Sequence, residues 1–517
     1  MTAMNAVDWI FYILYWINVV AVVFVFASFV PQLFYYLFFW FPRKHWKESK
    51  DYKMMAIVIC AKNEEACIYN RVKYLAQDLD YPKDKYRIYV CASNCTDKTA
   101  EEARRAGATV FVYDDFDPSH QRVSYPLRYL IQEVLKMDHA SEVFVRFDAD
   151  NIPSRDFLKQ MNNAICGGAK ILRAYEASTN LRQNIWTEQS ALFTIKDVRC
   201  QNNFRQFLNG ATTGSGPGLT FTRDIAESIG GWDCMSAIED VEFSFKRLYD
   251  GYKIYFNTDA IVYEDHPSSF KDTFRRLTRL GNAFTKLFFT DGWRMIVKFL
   301  RTGNPMYLDL LLQISFYPVS VICFLWFPLY YSVYAILMLI QGAGVPIFQG
   351  YFSAVQITNH YSDMYGLHFS YWPDAFFQSL PPATQLSYLG QSALFTLLMM
   401  AWETILLFLI LCIFQSWLAF FLDRRKLGLD WKLKGLWKGI LLSPIFATIY
   451  GLCNVIGVLS NPCWKIAKRN PQATEILPPL PERKKKTHYI VLSEREKKRY
   501  DGTAIFASKK EKQKVRS

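Results

Sequence analysis

Two aspartates, Asp148 and Asp150, stand directly after the apolar run EVFVRF, in the sequence FDADN. Carboxylates at positions i and i+2 at the end of an apolar strand are costly unless a cation lies between them. Mg²⁺ and Mn²⁺ prefer oxygen ligands and complete their octahedron with phosphate oxygens. The pair is therefore a candidate metal site for a substrate that carries a diphosphate. A solvated turn or a helix cap is the alternative for this pattern taken alone.

A second acidic pair, Glu239 and Asp240, follows about ninety residues later, just before the amphipathic run VEFSFKRLY. The helix dipole favours a carboxylate in the first turn of a helix. Such a carboxylate can take a proton from an attacking hydroxyl. Taken alone the pair is ordinary N-terminal helix charge, but in the same domain as the first pair Asp240 is a candidate general base.

Three arginines, Arg275, Arg276 and Arg279, have helical spacing in the run FKDTFRRLTRL. They could clamp a diphosphate, because guanidinium groups form strong charge-assisted hydrogen bonds to phosphate oxygens. The same segment continues as an amphipathic stretch up to Phe299, and a basic helix at a membrane surface has the same pattern. The arginines alone leave both interpretations open.

Alternating strand and helix patterns must position these side chains. The second helix pattern, NCTDKTAEEARRAG, has Thr96 as its predicted N-cap and Gly107 as its stop. Strands that alternate with helices predict a parallel sheet with crossover helices. Ligands bind outside the carboxyl ends of such strands. We therefore expect an α/β fold with its site just after the strands MMAIVICA, RIYVCAS and EVFVRF.

Apolar segments flank this region on both sides. The chain has 517 residues, of which 51% are hydrophobic and 21% charged, and its mean hydropathy is +0.00. Charged and apolar residues therefore occupy different stretches, and about 20 apolar residues suffice to cross a bilayer. The candidate membrane segments are Asp8–Phe41, with an interfacial part near Pro31, and the runs Leu308–Ile340, Ser392–Leu422 and Gly439–Leu459.

Lys and Arg predict how these segments are oriented. The first cation is Arg43, which marks a cytoplasmic side, and none occurs from 302 to 423, so the polar stretch 341–390 is predicted to be an outer loop. Three apolar runs after the soluble region would place the tail outside. A re-entrant pair broken at Pro318 and Pro328, or an interfacial last run, is favoured over an exported basic tail.

Most of the net charge of +13 belongs to the tail. Residues 465–517 hold 16 Lys and Arg against 6 Asp and Glu, which is +10 of the +13. A low share of apolar residues and the runs PPLP and RKKK predict a disordered cytoplasmic tail that stays near anionic lipid headgroups. No nucleic-acid partner is expected, because aromatic residues do not alternate with the basic runs as stacking platforms.

The order of the motifs is more specific than any single one: AKNEE after a strand, then SNCTD, DAD, GSGPG, ED and RRLTR, between membrane segments. This order resembles the membrane-bound family 2 glycosyltransferases, which include cellulose, chitin, hyaluronan and poly-N-acetylglucosamine synthases and ceramide glucosyltransferases. The resemblance covers about residues 50 to 300. It implies an α/β GT-A (Rossmann-like) catalytic domain inserted between transmembrane α-helices, and inverting transfer from a nucleotide sugar with Mg²⁺ or Mn²⁺ as cofactor.

The resemblance also implies a role for each matching residue. Asp148 would hold the nucleotide sugar, Asp150 would ligate the metal, and Asp240 would be the general base on the acceptor hydroxyl. Gly216, within GSGPG, and Glu239 would lie near the acceptor. The implied nucleotide-sugar-binding residues are Ala61, Asn63, Glu65, Ser93, Asp148, Arg276 and Arg279.

Three positions depart from the pattern of that family. Ser93 stands where an aspartate is usual, which affects recognition of the nucleotide base. Ile238 replaces the threonine of the TED motif, and Leu280 replaces the tryptophan of the (Q/R)xxRW motif. That tryptophan helps to position the acceptor sugar in processive members. His266, in YEDHP, is expected to be a buried histidine with its hydrogen bonds satisfied, rather than a further diphosphate or metal contact.

Elongation of a polysaccharide or oligosaccharide at the membrane, with export, is the leading expectation, with UDP-hexose or UDP-N-acetylhexosamine as donor. Transfer of one sugar to a ceramide-type or polyprenyl-phosphate lipid is the alternative, which Arg276 and Leu280 favour. A non-catalytic membrane scaffold is the third. The expected partners are a UDP-sugar, a carbohydrate or lipid-linked acceptor and the lipid bilayer.

The predicted protein is a multi-pass protein of the cell membrane, with its catalytic domain and tail in the cytoplasm. Its predicted parts are, in order, a membrane helix with an interfacial segment, a catalytic domain, amphipathic interfacial helices, a membrane region with its outer loop, and the tail. Their boundaries are 1–42, 50–270, 271–302, 303–460 and 465–517.

Overall fold

The strands between Met55 and Asp148 form a parallel sheet, as expected. The computed structural model describes residues 6–37, 42–117, 120–342, 402–460 with gaps at 403–404, 428, 430–431 and 434, and 488–502. Four strands lie side by side in the order β4-β3-β2-β5, all parallel. These strands and their connecting helices are β2 (Met55–Ala61), α2 (Glu65–Gln77), β3 (Tyr86–Ser93), α3 (Thr99–Arg105), β4 (Thr109–Tyr113), α4 (Ser124–Met137) and β5 (Val143–Asp148).

The start of α3 differs from the prediction. The helix begins at Thr99 and its N-cap is Lys98, so Thr96 is not the cap. Asp97 accounts for the difference, because its carboxylate accepts hydrogen bonds from the backbone N–H of Thr99, 3.0 Å away, and from the Thr99 hydroxyl. Gly107 follows the helix with a φ of 102°, as its role as a stop requires.

The second half of the sheet is mixed, which corrects the expectation of a purely parallel sheet. The full order is β4-β3-β2-β5-β8-β7-β9-β6. Strand β8 is antiparallel to both β5 and β7, and β6 is antiparallel to β9. Strand β8 has only three residues, which the chain enters from the GSGPG loop, so no local sequence pattern indicates its direction. The elements are β6 (Ile152–Pro153), α5 (Phe157–Cys166), β7 (Ile171–Ser178), α6 (Ile185–Lys196), α7 (Asn203–Phe207), β8 (Thr220–Thr222), α8 (Arg223–Ser228), α9 (Glu239–Tyr249) and β9 (Ile254–Glu264).

Helices cover both faces of the sheet. In β2, Ile57 and Ile59 pack in one hydrophobic cluster with residues of α2 and α5. Ala56 and Val58, on the other face, pack with residues of α4, α8 and α9. All four side chains are fully buried. This two-sided burial explains the unbroken apolar runs of the strands.

Eight further helices of the described part of the chain lie before or after the catalytic domain. The chain is helical from Phe316 to Gly342, passing through a π-helical turn, so Pro318 and Pro328 do not break it into a re-entrant pair. The N-terminal helix likewise continues past Pro31. The helices are α1 (Ala6–Leu37), α10 (Phe270–Thr290), α11 (Gly292–Thr302), α12 (Pro305–Gln313), α13 (Phe316–Val321), α14 (Phe327–Gly342), α15 (Ile405–Asp423) and α16 (Trp437–Leu459).

Within the described part of the chain, four helices are long and apolar enough to cross a membrane. They are Tyr12–Pro31, Phe316–Val333, Ile405–Asp423 and Trp437–Leu459. Each falls within or overlaps one of the four runs identified in the sequence. The predicted outer loop at 341–390 lies outside the described residues, apart from its first two positions.

Helix α10, which carries the three arginines, packs closely against α16. A Cβ atom on Gly457 would lie 2.3 Å from the backbone oxygen of Thr278, so glycine is required for this approach. The side-chain amide of Asn282 donates to the backbone oxygens of Gly457, at 2.7 Å, and Ser460, at 2.9 Å. The helix that bears the candidate phosphate-binding arginines is thereby joined to the last apolar helix.

Part of the basic tail is ordered, which corrects the prediction of disorder for 488–502. Strand β10 (Tyr489–Ile490) pairs in parallel with β1 (His45–Trp46), and helix α17 (Glu494–Arg499) follows. The Glu496 carboxylate accepts a hydrogen bond from Asn209, and the Lys253 ammonium lies 5.6 Å from the centre of the Tyr500 ring. The remaining tail residues, 465–487 and 503–517, lie outside the described part.

Ile490 anchors this tail segment to the catalytic domain, since it is 8% exposed within the main hydrophobic cluster. We expect Ile490→Ala to lower the free energy of unfolding by about 2 kcal/mol, because it removes buried apolar surface and leaves a cavity. Val491 is 80% exposed, so Val491→Ala is the matched control and should change stability by less than about 0.5 kcal/mol. Thermal unfolding of the purified proteins in detergent measures both, and equal losses would contradict the docking of the tail.

Candidate active site

One cleft of about 410 Å³ lies at the carboxyl ends of β2, β3 and β5 and extends to helices α9 and α10. This is the edge of the sheet at which the sequence predicted a ligand site. The predicted site residues that line the cleft are Ala61, Ser93, Asp148, Asp150, Gly216, Glu239, Asp240, Arg276 and Arg279.

Asn63 and Glu65 do not line the cleft, in contrast to their predicted place beside the nucleotide base. The side-chain oxygen of Asn63 accepts a hydrogen bond from the backbone N–H of Thr96 at 2.8 Å. The Glu65 carboxylate accepts one from the backbone N–H of Lys98 at 3.0 Å. Both side chains therefore join the loop after β2 to the loop after β3. Lys62, from the same AKNEE motif, lines the cleft instead.

The two aspartates of the DAD motif are held in a tight turn by Asn151. The side-chain oxygen of Asn151 accepts a hydrogen bond from the backbone N–H of Asp148 at 2.9 Å, and its amide donates to the Asp150 carboxylate at 3.1 Å. The Asp148 side chain is 38% exposed to the cleft, whereas Asp150 is 6% exposed. The turn thus presents both carboxylates at one end of the cleft.

Two further carboxylates, Glu176 and Glu264, line the same end of the cleft. Burial raises the pKa of Glu264 to about 8; the Arg276 guanidinium opposes this rise, and the charges of Glu176, Asp150 and Asp148 add to it. Within the described residues no group of three or more His, Cys, Asp or Glu side chains has metal-site geometry. Asp148 and Asp150 nevertheless fit Mg²⁺ or Mn²⁺, because such an ion takes its other ligands from phosphate and water. A bound ion would also reduce the excess negative charge of these four carboxylates.

Asp240 lies in the first turn of α9, as predicted, and faces the GSGPG loop. Its carboxylate accepts hydrogen bonds from the backbone N–H groups of Gly216, at 2.7 Å, and Val241, at 2.9 Å. Burial raises the pKa of Asp240 above its usual range, and the charge of Arg146 opposes this rise. A raised pKa makes the carboxylate a better proton acceptor.

Gly216 lines the cleft together with its neighbours Ser215 and Pro217. A Cβ atom there would lie 3.3 Å from the Arg146 guanidinium and 3.7 Å from the Asp148 carboxylate. The neighbouring Glu239 is 6% exposed and accepts a hydrogen bond from Arg146 at 2.6 Å. One carboxylate oxygen of Glu239 is therefore bound to Arg146, and the predicted contact with an acceptor would have to use another atom of Glu239.

Arg276 and Arg279 bring positive charge to the cleft from α10. Arg276 lies 3.3 Å from the ring nitrogen Nδ1 of His266 and 3.8 Å from the Glu264 carboxylate. Burial lowers the pKa of His266, and the charge of Arg276 adds to this effect, so a neutral ring accepts from the guanidinium. His266 is 2% exposed and does not line the cleft, so it is buried as expected. Its ring nitrogen Nε2 has no hydrogen-bond partner among the described residues, so the expectation of a fully satisfied histidine is wrong.

Arg279 differs from Arg276 in having no hydrogen-bond or ion-pair partner among the described residues. Burial lowers the pKa of Arg279, and the charge of Arg276 lowers it further, while Glu239, Asp240 and Asp148 oppose the change. Two adjacent guanidinium groups of which one is unpartnered can take up an anion such as a diphosphate.

Several lining residues were missed in the sequence. Arg146 could have been found, because it precedes Asp148 by two positions and therefore lies on the same face of β5. Lys62 could have been inferred from its place in AKNEE. The ammonium of Lys62 donates to the Gln121 side chain at 2.8 Å. Glu176 and Glu264 come from β7 and β9, whose pairing no local pattern indicates.

Comparison with known proteins finds similar glycosyltransferases. Residues 143–347 match the model of Glycosyl transferase family group 2. A probable glycosyltransferase, YdaM of Bacillus subtilis, is 27% identical over 267 residues, which are 47% of this chain and 59% of that protein. A β-monoglucosyldiacylglycerol synthase of Nostoc is 26% identical over 224 residues, 41% of this chain and 45% of that protein.

A third relative is the catalytic subunit of the UDP-forming cellulose synthase of Pseudomonas fluorescens. It is 29% identical over 112 residues, which are 22% of this chain and 14% of that protein. Among solved structures, the mannosyltransferase PcManGT of Pyrobaculum calidifontis, in complex with GDP-mannose and Mn²⁺, is 17% identical with a TM-score of 0.42. That likeness covers 72% of this chain and 96% of PcManGT.

The chain thus spans about half of the length of the first curated relatives that it matches. The family match includes the DAD motif, the GSGPG loop, Asp240 and the α10 arginines. The match supports the expectation of an enzyme. Residues 143–347 of this protein match a family 2 glycosyltransferase domain.

Proposed function

We propose that the protein is an inverting glycosyltransferase with a GT-A catalytic domain that transfers a hexosyl or N-acetylhexosaminyl unit from UDP to a hydroxyl group at the membrane. The observation that carries the proposal is the convergence in one cleft of a buried carboxylate, an acidic pair and two arginines. These are the groups that direct displacement of a diphosphate requires. Apolar helices on both sides of the domain support a location at the membrane.

In the proposed reaction the acceptor oxygen forms a bond to the anomeric carbon while the bond from that carbon to the diphosphate breaks. Asp240 takes the proton of the acceptor hydroxyl. Arg276 and Arg279 stabilise the negative charge that develops on the departing UDP. A divalent ion held by Asp148 and Asp150 would supply further charge neutralisation. A single displacement of this kind inverts the configuration at the anomeric carbon.

A lipid is the acceptor that the packing beside the cleft favours. Leu280, which lines the cleft, contacts an aromatic cluster formed by α10, α13 and α16. In that cluster the rings of Phe284 and Tyr317 are stacked 4.0 Å apart, and the hydroxyls of Tyr317 and Tyr450 are 3.0 Å apart. A growing polymer that left the cleft between these helices would have to separate those rings. Transfer of one sugar to a lipid headgroup requires no such passage.

Polymer elongation is the second candidate. The relative named as a cellulose synthase catalytic subunit, together with the number of apolar helices, supports it. The shorter match to that relative and Leu280 in place of a tryptophan favour the lipid acceptor.

Radiolabelled nucleotide sugars test the proposal with the purified protein in liposomes that contain diacylglycerol, ceramide or polyprenyl phosphate. We expect UDP release, one labelled lipid that carries a single sugar, and loss of both on addition of EDTA with recovery in Mn²⁺. Labelled product that resists lipid extraction and is degraded by glycosidases would support the polymer instead. Absence of nucleotide release with every UDP- and GDP-sugar would contradict the proposed donor class.

A further inference from the structure

Arg146 is a buried cation that lines the cleft and that the proposed reaction does not use. Its side chain is 5% exposed, and its Nη2 donates to the Glu239 carboxylate at 2.6 Å and lies 3.7 Å from the Asp148 carboxylate. Its Nη1 is buried with no hydrogen-bond partner among the described residues. Burying a guanidinium is costly, and an incomplete set of partners adds to the cost.

The backbone of Arg146 is tied to the same loop as its side chain. Its N–H donates to the backbone oxygen of Leu219 at 2.9 Å, and its oxygen accepts from the N–H of Gly218 at 2.9 Å. Its guanidinium would lie 3.3 Å from a Cβ atom on Gly216, whose N–H donates to Asp240. Arg146 therefore contacts three parts of the site: Asp148 of the DAD turn, the GSGPG loop, and Glu239 at the start of α9.

We propose that Arg146 is a positioning residue of the transfer reaction, which holds Glu239 and Asp148 in place and brings a buried positive charge next to the loop that binds Asp240. This inference rests on the proposed role of Asp240 as the base. The other charged groups that face Asp240 are Glu176 on β7, Arg279 on α10 and the adjacent Glu239. Of the two cations, Arg146 has the larger influence, and its charge holds down the pKa that burial raises.

Arg146→Met removes the charge and keeps much of the volume of the side chain. We expect kcat to fall about 30-fold or more, with the KM for the donor changed less than about threefold. The acid limb of the pH profile of kcat should move to higher pH by about one pH unit, because Asp240 then binds its proton more tightly. Arg146→Lys, which keeps the charge but not the planar fork, should recover part of kcat and most of the pH profile.

Arg247→Met is the matched control for the loss of a buried arginine. Arg247 is 2% exposed, donates to Asp233 at 2.8 Å, and lies on α9, the helix of Asp240, but outside the cleft. Its loss should lower stability, as the loss of Arg146 does, and leave the pH profile unchanged. If both methionine variants give the wild-type pH profile, or the same altered one, the positioning role is wrong.

A chemical measurement tests the inference without relying on turnover. A water-soluble carbodiimide with an amine labels protonated carboxyls, and mass spectrometry gives the pH at which half of Asp240 is labelled. We expect that pH to be higher in Arg146→Met than in the wild type and in Arg247→Met. If the wild type releases no UDP yet the labelling midpoint moves, the proposed function fails, while the electrostatic effect of Arg146 on Asp240 stands. An unmoved midpoint overturns that effect and, with it, the positioning role.

Discussion

Asp240→Asn is expected to lower kcat by about three orders of magnitude, because it removes the group that takes the proton of the acceptor hydroxyl. The amide has nearly the same shape as the carboxylate, so the KM for the donor should change less than about threefold. Its single oxygen can still accept from the N–H of Gly216 or of Val241, both of which contact Asp240. Release of UDP from a radiolabelled donor measures the loss.

Glu242→Gln is the matched control for this variant. Glu242 is another carboxylate in the first turn of α9, but it pairs with Lys246 at 2.7 Å and does not line the cleft. Its replacement should leave kcat within about twofold of the wild type. A similar loss of activity in both variants would mean that Asp240 acts through the stability of α9 rather than as the base.

The pH dependence of the wild type follows from the same carboxylate. The base must be ionised to accept a proton, so kcat falls as the pH falls through the pKa of Asp240. Because burial raises that pKa, the acid limb should lie at higher pH than the ordinary range of an aspartate. In Asp240→Asn this limb should disappear from the residual activity.

The parallel half of the sheet was predictable because its strands and helices are local patterns. Strand β3 contains the predicted RIYVCAS, and α9 begins at the predicted pair Glu239 and Asp240. Ligands bind at the carboxyl ends of parallel strands. This rule predicted that Asp148 and Asp150 lie at the ligand site, and both line the cleft. The places of these residues required no knowledge of contacts distant in sequence.

The mixed half of the sheet and the ion pair of Arg146 and Glu239 in the cleft were not predictable in this way. Arg146 and Glu239 are 93 positions apart in the sequence, and their ion pair depends on β8 lying beside β5. No local pattern indicates that strand order. Asn63 and Glu65 bind the loop after β3, because a motif position does not determine whether a side chain turns toward the cleft or toward the next loop.

The docked tail segment was missed for a different reason. Ile490 and Leu492 are the residues of its described part that join the main hydrophobic cluster, and they alternate with exposed Val491 over a strand pattern too short to stand out in a basic stretch. The net charge of the tail is a sum, and it hides a short segment whose apolar face is buried. The low share of apolar residues in the tail therefore did not exclude order here.

Arg279→Met is expected to lower kcat about 100-fold, because it removes a charge that stabilises the leaving diphosphate. Arg279→Lys should recover only part of this loss, since an ammonium cannot bind two phosphate oxygens as a planar fork does. Lys286→Met, an exposed cation two turns further along the same helix, is the control and should retain full activity. Donor-dependent UDP release compares the three variants.

The same substitution should make the protein more stable when no donor is bound. Arg279 has no bonded partner in the described residues, and burial and the charge of Arg276 both disfavour its charged form. A methionine there removes this cost, so we expect the free energy of unfolding to rise by about 1 kcal/mol. UDP with Mn²⁺ should then raise the melting temperature of the wild type more than that of Arg279→Met, because the wild type binds the diphosphate more tightly. Thermal unfolding in detergent, with and without UDP and Mn²⁺, measures both effects. A variant that loses activity and stability together, with an unchanged response to UDP, would assign Arg279 to packing rather than to the diphosphate.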